Sequence, residues 1–486
     1  MSTLRFEESE KLSEFFTSNK PELMVVYGRR RVGKTFLIRE YFSNKKSVFF
    51  NATGMEKGTF LEQKTEFCNQ IGATFYGGAS LKVPGSWLNI FELLTKAINA
   101  TPKNKKIVLF FDEFPWMVTK RSRLLEAFEY YWNQYWSRDS RIKLIVCGSL
   151  ASWIIKNFLE NTGGLYNRVT CRIHLHPLSL GETARFLKNK KIYLTNQQIL
   201  TAYLVTGGIP LYLEQIKKGL SASQIVESLC FSKNGMLVAE MKNLFKSLFQ
   251  KSAVYMEITR EIAKHHYGIT SSDLSKKLNI LRGGSLSEKL DDLEEAGFIM
   301  SFLPYQHKEK GTFFRISDEY SLFYFRWIEP NMRSMNQASK PKGFWTEQAQ
   351  SQAYKTWCGY AFESVCYKHV NQISKALGLA PSALPYSWRF SPRKGDGEDR
   401  GAQIDLLFDR KDKSITLCEI KHTDASFVID RQYAKEIEQK IEVFKRVTKT
   451  DKQIFFAMVV SSGIKNNFYA EEIISNIVTL DDLFKA

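Results

Sequence analysis

The sequence predicts a multidomain α/β protein, and three stretches carry that prediction. In the first, the apolar run Val25-Val26-Tyr27 leads into Gly28-Arg29-Arg30-Arg31-Val32-Gly33-Lys34-Thr35, and Phe36-Leu37-Ile38 continues as a helix. In the second, the apolar run from Ile107 to Phe111 ends in Asp112 and Glu113. In the third, far downstream, Asp405 lies on one apolar strand and Glu419-Ile420-Lys421 closes the next. The 486 residues exceed what one hydrophobic core organises, so about three domains are expected.

The first stretch has the spacing G-x-x-x-x-G-K-T of a phosphate-binding loop. Gly28 and Gly33 let the backbone curl, so that the N–H groups of Arg29, Arg30, Arg31, Val32 and their neighbours point into one hollow. Lys34 brings a point charge for the β- and γ-phosphates. Thr35 offers a hydroxyl to Mg²⁺. The helix opening at Phe36 turns its positive end toward the anion. The expected ligand is therefore ATP with Mg²⁺, held by residues 28–36.

Residues 1–20 have the spacing of an amphipathic helix, with Leu12, Phe15 and Phe16 on one side. A strand is expected over Ser47 to Ala52, and a helix from about Gly58 to Ile71. The run ending in Asp112-Glu113 delivers two acids to the carboxyl edge of a parallel sheet, beside the loop. Asp112 is expected to hold Mg²⁺, directly or through water, and Glu113 to polarise the attacking water. Another apolar strand, Lys143 to Gly148, ends at Ser149, a candidate contact for the γ-phosphate or the attacking water. Arg168, in a segment led by Gly163-Gly164, is a candidate for stabilising transition-state charge, in its own site or in a neighbour's. His174 and His176 share one side of a strand; they form a metal pair without a third ligand in view, or plain structure.

These residues together resemble an ATPase family, mainly archaeal, of the AAA+/STAND-related P-loop class. The likeness rests on Gly28 to Thr35, Phe111-Asp112-Glu113-Phe114, Cys147-Gly148-Ser149, Leu165-Tyr166-Asn167-Arg168 and Gly207-Gly208-Ile209-Pro210-Leu211-Tyr212. It covers roughly residues 1–330. It implies a helical lid after the sheet domain, with the Gly-Gly-x-Pro turn close to the nucleotide. Members often open with Asn-Arg-Glu near the adenine; here the chain reads Arg5-Phe6-Glu7-Glu8. Many members also carry a C-terminal domain similar to restriction-endonuclease-like nucleases.

Downstream, a helix near Val254 to His265, a helix capped by Thr270 or Ser271, a second helix from Gly284 to Gly297 and a hairpin give the order of a winged helix. Its wing, Pro304 to Gly311, contains His307, Lys308 and Lys310, groups suited to phosphate contact. The presumed recognition helix carries Glu288, Asp291, Asp292, Glu294 and Glu295, which repel a phosphate backbone. Two readings stay open: a structural module or a base reader.

After a polar linker at 331–350, a helix from Tyr354 to Val370 carries Glu363. Residues two apart on a strand share a face, so Glu419 and Lys421 project together, and Asp405 on the paired strand can face them. Asp followed by Glu-x-Lys resembles the PD-(D/E)xK nuclease core, although Ile404 stands where a proline usually precedes the first acid. The resemblance implies that Asp405, Glu419 and the auxiliary Glu363 hold Mg²⁺ and that Lys421 assists catalysis. A working DNase and an inert binding domain both remain open.

The expected architecture is thus a P-loop NTPase parallel sheet (1–180), a helical lid (181–248), a winged helix (249–330), a linker (331–350) and a restriction-endonuclease-like α/β domain (351–486). The net charge of +18 points to a polyanionic partner, expected to be DNA, although lysine-rich composition alone also gives such a charge. Seven dispersed cysteines without metal spacing fit a reducing cytoplasm. No apolar run reaches the roughly 20 residues of a membrane span. A homo-oligomer is the other expected partner.

Overall fold

A computed structural model describes residues 4–160, 162–280, 284–307, 311–333, 343–392 and 401–485. They form two compact units: residues 1–177 with 247–250, and residues 178–246 with 251–486.

The first unit is built on β1 (Glu22–Tyr27), β2 (Ser47–Thr53), β3 (Lys106–Asp112), β4 (Ile142–Gly148) and β5 (Cys171–His174), in the spatial order β2-β3-β4-β1-β5. All neighbouring pairs are parallel. The central strands are buried on both faces, which is why they read as unbroken apolar runs. One face packs an aromatic core in which Phe50, Phe67, Phe91, Phe111, Phe114, Phe128 and Trp136 are buried. Helix α1 (Phe6–Thr17) buries Leu12 and Phe15, as its spacing requires. Helix α2 (Lys34–Ser43) follows the phosphate loop.

The second unit begins with helices Leu180–Asn189 and Asn196–Thr206. Gly207, at φ +59°, ends the latter. A methyl group on Gly208 would lie 2.0 Å from the Leu178 carbonyl oxygen, so this turn tolerates only glycine. These helices dock on the C-terminal part of the same unit. The Leu180 N–H donates to His369 Nε2 (3.0 Å), and burial holds His369 down to about 4, keeping it neutral and able to accept. Beside Gly207, buried Glu319 pairs with Lys368 at 2.8 Å.

Next come helix Ser252–Ala263, β6 (Ile269–Thr270), helices Ser271–Leu278 and Gly284–Glu295, and the hairpin of β7 (Ile299–Phe302) and β8 (Phe313–Ile316). The three strands form an antiparallel sheet, β6-β8-β7. Thr270 is the N-cap, accepting from the Asp273 N–H. The wing differs from its expected role. Tyr305 is buried in the C-terminal core with Trp388 and Phe444, and its N–H donates to the Ser387 carbonyl (2.9 Å). Gln306 Nε2 donates to the Thr448 carbonyl (3.1 Å). An aromatic ring at the tip of a turn gains more from an apolar core than from water, so this tip faces protein. Lys308 and Lys310 lie outside the described residues. Two acids of helix Gly284–Glu295 also have partners within the unit: Asp292 accepts from Tyr255 Oη (2.5 Å), and Glu294 from the Ser301 N–H and hydroxyl (2.6 and 2.8 Å).

The segment expected to be a linker contains an anchored piece. Helix Phe344–Gln348 buries Trp345 completely, stacked 4.9 Å from Phe231, and the Trp345 N–H donates to Glu227 (2.6 Å). Residues 334–342 of that segment lie outside the described residues.

The C-terminal sheet has the order β13-β12-β11-β10-β9, from β9 (Leu384–Phe390), β10 (Ala402–Asp409), β11 (Ser414–Lys421), β12 (Gln453–Val460) and β13 (Asn476–Thr479). β9, β10 and β11 are antiparallel neighbours; β11, β12 and β13 run parallel. Helix α3 (Gln352–Lys368) precedes the sheet, and helix α4 (Arg431–Thr448) connects β11 to β12.

Candidate functional site

In the first unit, β1 ends at Tyr27 and the chain curls through residues 28–33 into α2. Gly28 adopts φ +139°, and a methyl group there would meet the Leu175 carbonyl oxygen at 2.3 Å. Arg31 and Gly33 are also left-handed, at φ 78° and 93°. Such alternation turns consecutive N–H groups inward. Lys34 Nζ is buried and donates to the loop carbonyls of Gly28 (2.9 Å) and Arg29 (3.0 Å). Arg30 spans the loop tip, 3.3 Å from Glu56 and 5.2 Å from the centre of the Trp116 ring. Arg29 is buried, Val32 packs into the core, and Phe36 stands half exposed on the first turn of α2.

β3 brings the acids to this loop. Thr35 Oγ1 lies 3.1 and 2.9 Å from the two carboxylate oxygens of Asp112. Burial, and then the neighbouring Glu113, push the Asp112 carboxyl above its usual range; the Thr35 hydroxyl works against them. A hydroxyl and a buried carboxylate converging on one point fit a hard divalent cation, which takes oxygen donors. Glu113 adopts the left-handed region (φ 45°) as the chain leaves β3. Its Oε2 accepts from the Ser149 N–H (3.0 Å) and hydroxyl (2.8 Å). Ser149 thus bonds Glu113 beside the phosphate loop. β4 lies between β1 and β3, so its end serves the acid first.

Arg168 lies elsewhere. The Thr170 N–H bonds to the Leu23 carbonyl, near the amino end of β1. The phosphate loop leaves the other end of that six-residue strand, roughly 13 Å beyond Leu23 at about 3.3 Å per residue. Arg168 is exposed there, and an arginine side chain does not span that distance. Of the two sites left open for it, its own and a neighbour's, this placement favours the neighbour's. Strand direction decides the matter, and the local motif around Arg168 does not encode it.

His174 and His176 do share one side, with ring centres 4.0 Å apart. Among the described residues, no three His, Cys, Asp or Glu side chains are grouped to hold a metal ion.

In the second unit, Leu406 pairs with Cys418 across β10 and β11, so Asp405 and Glu419 are the next opposed positions. Asp405 is buried, with Oδ2 accepting from the Ile420 N–H (3.0 Å) and Oδ1 from Gln403 Nε2 (3.2 Å). Burial and the facing Glu419 push its carboxyl up to about 6. Glu419 is held by Lys421 (2.8 Å), by Lys440 on both oxygens (2.8 Å each) and by Tyr433 Oη (3.0 Å). Lys440 and Tyr433 of α4 were not recognised as Glu419 partners from sequence; their spacing along an amphipathic helix is the signal that could have shown it.

Glu363 on α3 lines a small cavity with His266, Arg315 and Tyr367. Burial, then Asp405, raise its carboxyl strongly. Its carboxyl feels the charges of Asp405, Lys421 and Glu419, and among the described residues no three metal-binding side chains are grouped. Asp405 and Glu419 are buried oxygen donors of like charge, a pair that a divalent cation would neutralise.

The comparisons with known proteins follow this geometry. Residues 5–216 match the family described as an ATPase domain predominantly from Archaea. An uncharacterized protein of Methanocaldococcus jannaschii is 26% identical over 459 residues, covering 94% of this chain and 94% of that protein. An uncharacterized ATP-binding protein of the same archaeon is 52% identical over 42 residues, 9% of this chain and 71% of that protein. Among solved structures, a Walker-type ATPase of Pyrococcus abyssi shares 20% identity with TM-score 0.48, covering 66% of this chain and 95% of that one. The ORC2 protein of Aeropyrum pernix, in its ADPNP–ADP complexes, shares 16% identity with TM-score 0.43, covering 69% and 95%. No helix among the described residues is long and apolar enough to cross a membrane. The loop of residues 28–35, with Asp112 and Glu113 beside it, thus lies within the stretch, residues 5–216, that matches an ATPase domain predominantly from Archaea.

Proposed function

We propose that this ATPase couples its nucleotide state to Mg²⁺-dependent cleavage of DNA by the C-terminal domain. The observation that carries the second half of this reading is the opposed pair Asp405 and Glu419, with Lys421 held 2.8 Å from Glu419. Asp405 and Glu419 would hold the Mg²⁺, which when bound supplies Lewis-acid charge to a phosphodiester. Lys421 stays on the same face of β11, placed to balance charge growing on a phosphate oxygen. The basic chain favours a nucleic-acid substrate. The winged helix is a structural module in this reading, because its wing tip is buried against the C-terminal sheet and the acids Asp292 and Glu294 bond within the unit.

Plasmid incubated with Mg²⁺, with and without ATP, tests the proposal. The wild-type chain nicks it, and Lys421→Ala does not. Equal cutting by both removes the nuclease reading. A second reading has its own observation: the two lysines and the tyrosine around Glu419 occupy both carboxylate oxygens. The C-terminal domain would then be inert, and the chain a nucleotide-dependent switch. No nicking by wild type in any nucleotide state favours it.

The position of Arg168 supports service to a neighbouring copy, in a homo-oligomer. ATP turnover per chain is then expected to rise with protein concentration and to stay low at all concentrations in Arg168→Ala. A concentration-independent wild-type rate removes this part.

A further inference from the structure

The site geometry fixes which way a nucleotide runs. Thr35 and Asp112, 2.9 and 3.1 Å apart, would hold the cation, and Glu113 beside them would orient the attacking water. Both acids come from β3, and Ser149, which holds Glu113, follows β4. These two strands lie on one side of β1, and β5 alone lies on the other. The γ-phosphate therefore faces β3 and β4. An extended triphosphate carries its ribose and base away from them, toward the edge formed by β5.

That edge presents three flat rings in a ladder. Tyr27 stacks on His174, with centres 4.6 Å apart and planes 19° from parallel. His174 in turn meets His176 at 4.0 Å. His176 is exposed, the His174 ring lies between those of Tyr27 and His176, and Leu175 is buried with its carbonyl closing on Gly28. The ladder is thus tied to the first residue of the phosphate loop. Buried Arg5, the N-cap of α1, donates from Nη2 to the His176 carbonyl at 2.6 Å and fixes the outer rung. Burial, then His176 and Lys34, hold His174 down to about 4, so at neutral pH this ring is an uncharged face.

We propose that the exposed ring of His176, backed by His174 and Tyr27 and fixed through Arg5, is the platform on which the nucleobase of ATP stacks. An aromatic platform accepts any base through its π-face, so it adds affinity for the base with little discrimination between adenine and guanine.

The proposal rests on the phosphate loop binding ATP, and the test separates the two. Binding of ATP and of inorganic tripolyphosphate, each with Mg²⁺, is measured by titration calorimetry on the full chain for wild type, His176→Ala, His176→Phe and Lys34→Ala. His176→Ala is expected to lose about tenfold in ATP affinity and none for tripolyphosphate, a ligand without a base. His176→Phe restores the loss, because a flat ring is what the site supplies. Retained tripolyphosphate binding also reports that the alanine variant is folded. Unchanged ATP affinity in His176→Ala, or an equal loss for both ligands, overturns the platform. Full binding of both ligands by Lys34→Ala would instead overturn the phosphate-loop assignment beneath it.

Discussion

Glu113→Gln is expected to slow ATP hydrolysis by roughly 10²–10⁴-fold and to leave ATP affinity within a few-fold of wild type. The reasoning starts from the bonds around the carboxylate. Its Oε2 accepts from both the N–H and the hydroxyl of Ser149. A glutamine oxygen accepts the same two bonds, so the local fold is kept. The amide has no charge with which to polarise water, and the chemical step alone suffers. Loss confined to the catalytic rate is the mark of an interaction used in the transition state. Single-turnover hydrolysis beside equilibrium ATP binding separates the two quantities. A variant that hydrolyses at the wild-type rate would show that another group orients the water, and Glu113 would then be only the residue that turns the chain after β3.

Asp405→Asn is expected to abolish Mg²⁺-dependent cleavage and, in the same protein, to raise stability at neutral pH by on the order of 1–3 kcal/mol. The Asp405 carboxyl is buried opposite Glu419 and titrates near 6, above the ordinary 3.8 of an aspartate. A raised acid binds its proton more tightly in the folded chain. Its stabilising contribution is present at low pH and is lost as pH rises from about 4 through about 6. Asparagine keeps the acceptor for the Ile420 N–H and removes the charge. Urea denaturation with EDTA present should therefore show the two proteins nearly equal at pH 4. The gap in favour of asparagine opens up to pH 6 and stays constant above it. A variant less stable than wild type at pH 7 would mean that Lys421 and Lys440 already neutralise the acid pair in the folded chain. A pocket that costs stability when empty of cation is one built for ligand, the usual price of a preorganised site.

Much of the first site is legible because it is local. Six residues from Gly28 to Gly33 and the two that follow carry the anion cradle. A strand ending in two acids brings Asp112 and Glu113 to its edge. The left-handed turns at Gly28, Arg31 and Gly33 follow from a loop that has to curl within those six residues. Thr35 and Asp112 meet because parallel strands deliver their carboxyl ends to one edge. The C-terminal acids are legible for a related reason: alternation along β11 and cross-strand pairing with β10 place Asp405, Glu419 and Lys421 on one face.

The readings that changed all depended on partners distant in sequence. Ser149 was correctly placed at a strand end, but only the packing of β4 against β3 made Glu113 its acceptor. The polar composition of 331–350 concealed Trp345, whose ring gains its burial from Phe231 more than a hundred positions earlier. Tyr305, in a turn with lysines, finds an apolar core formed by β9 and α4.

The sequence by itself determined the phosphate loop, the acid strand, the order of the elements and the acids Asp112, Glu113, Asp405 and Glu419, because each follows from contiguous residues and from periods of 2 and 3.6. Only the tertiary structure decided that Arg168 sits at the far end of β1 from its own phosphate loop, that Tyr305 after β7 is docked in the C-terminal core, and that Lys440 and Tyr433 surround Glu419. The physical reason is common to all three: strand direction and burial against distant segments are set when the chain closes on itself, and no local run of residues records them.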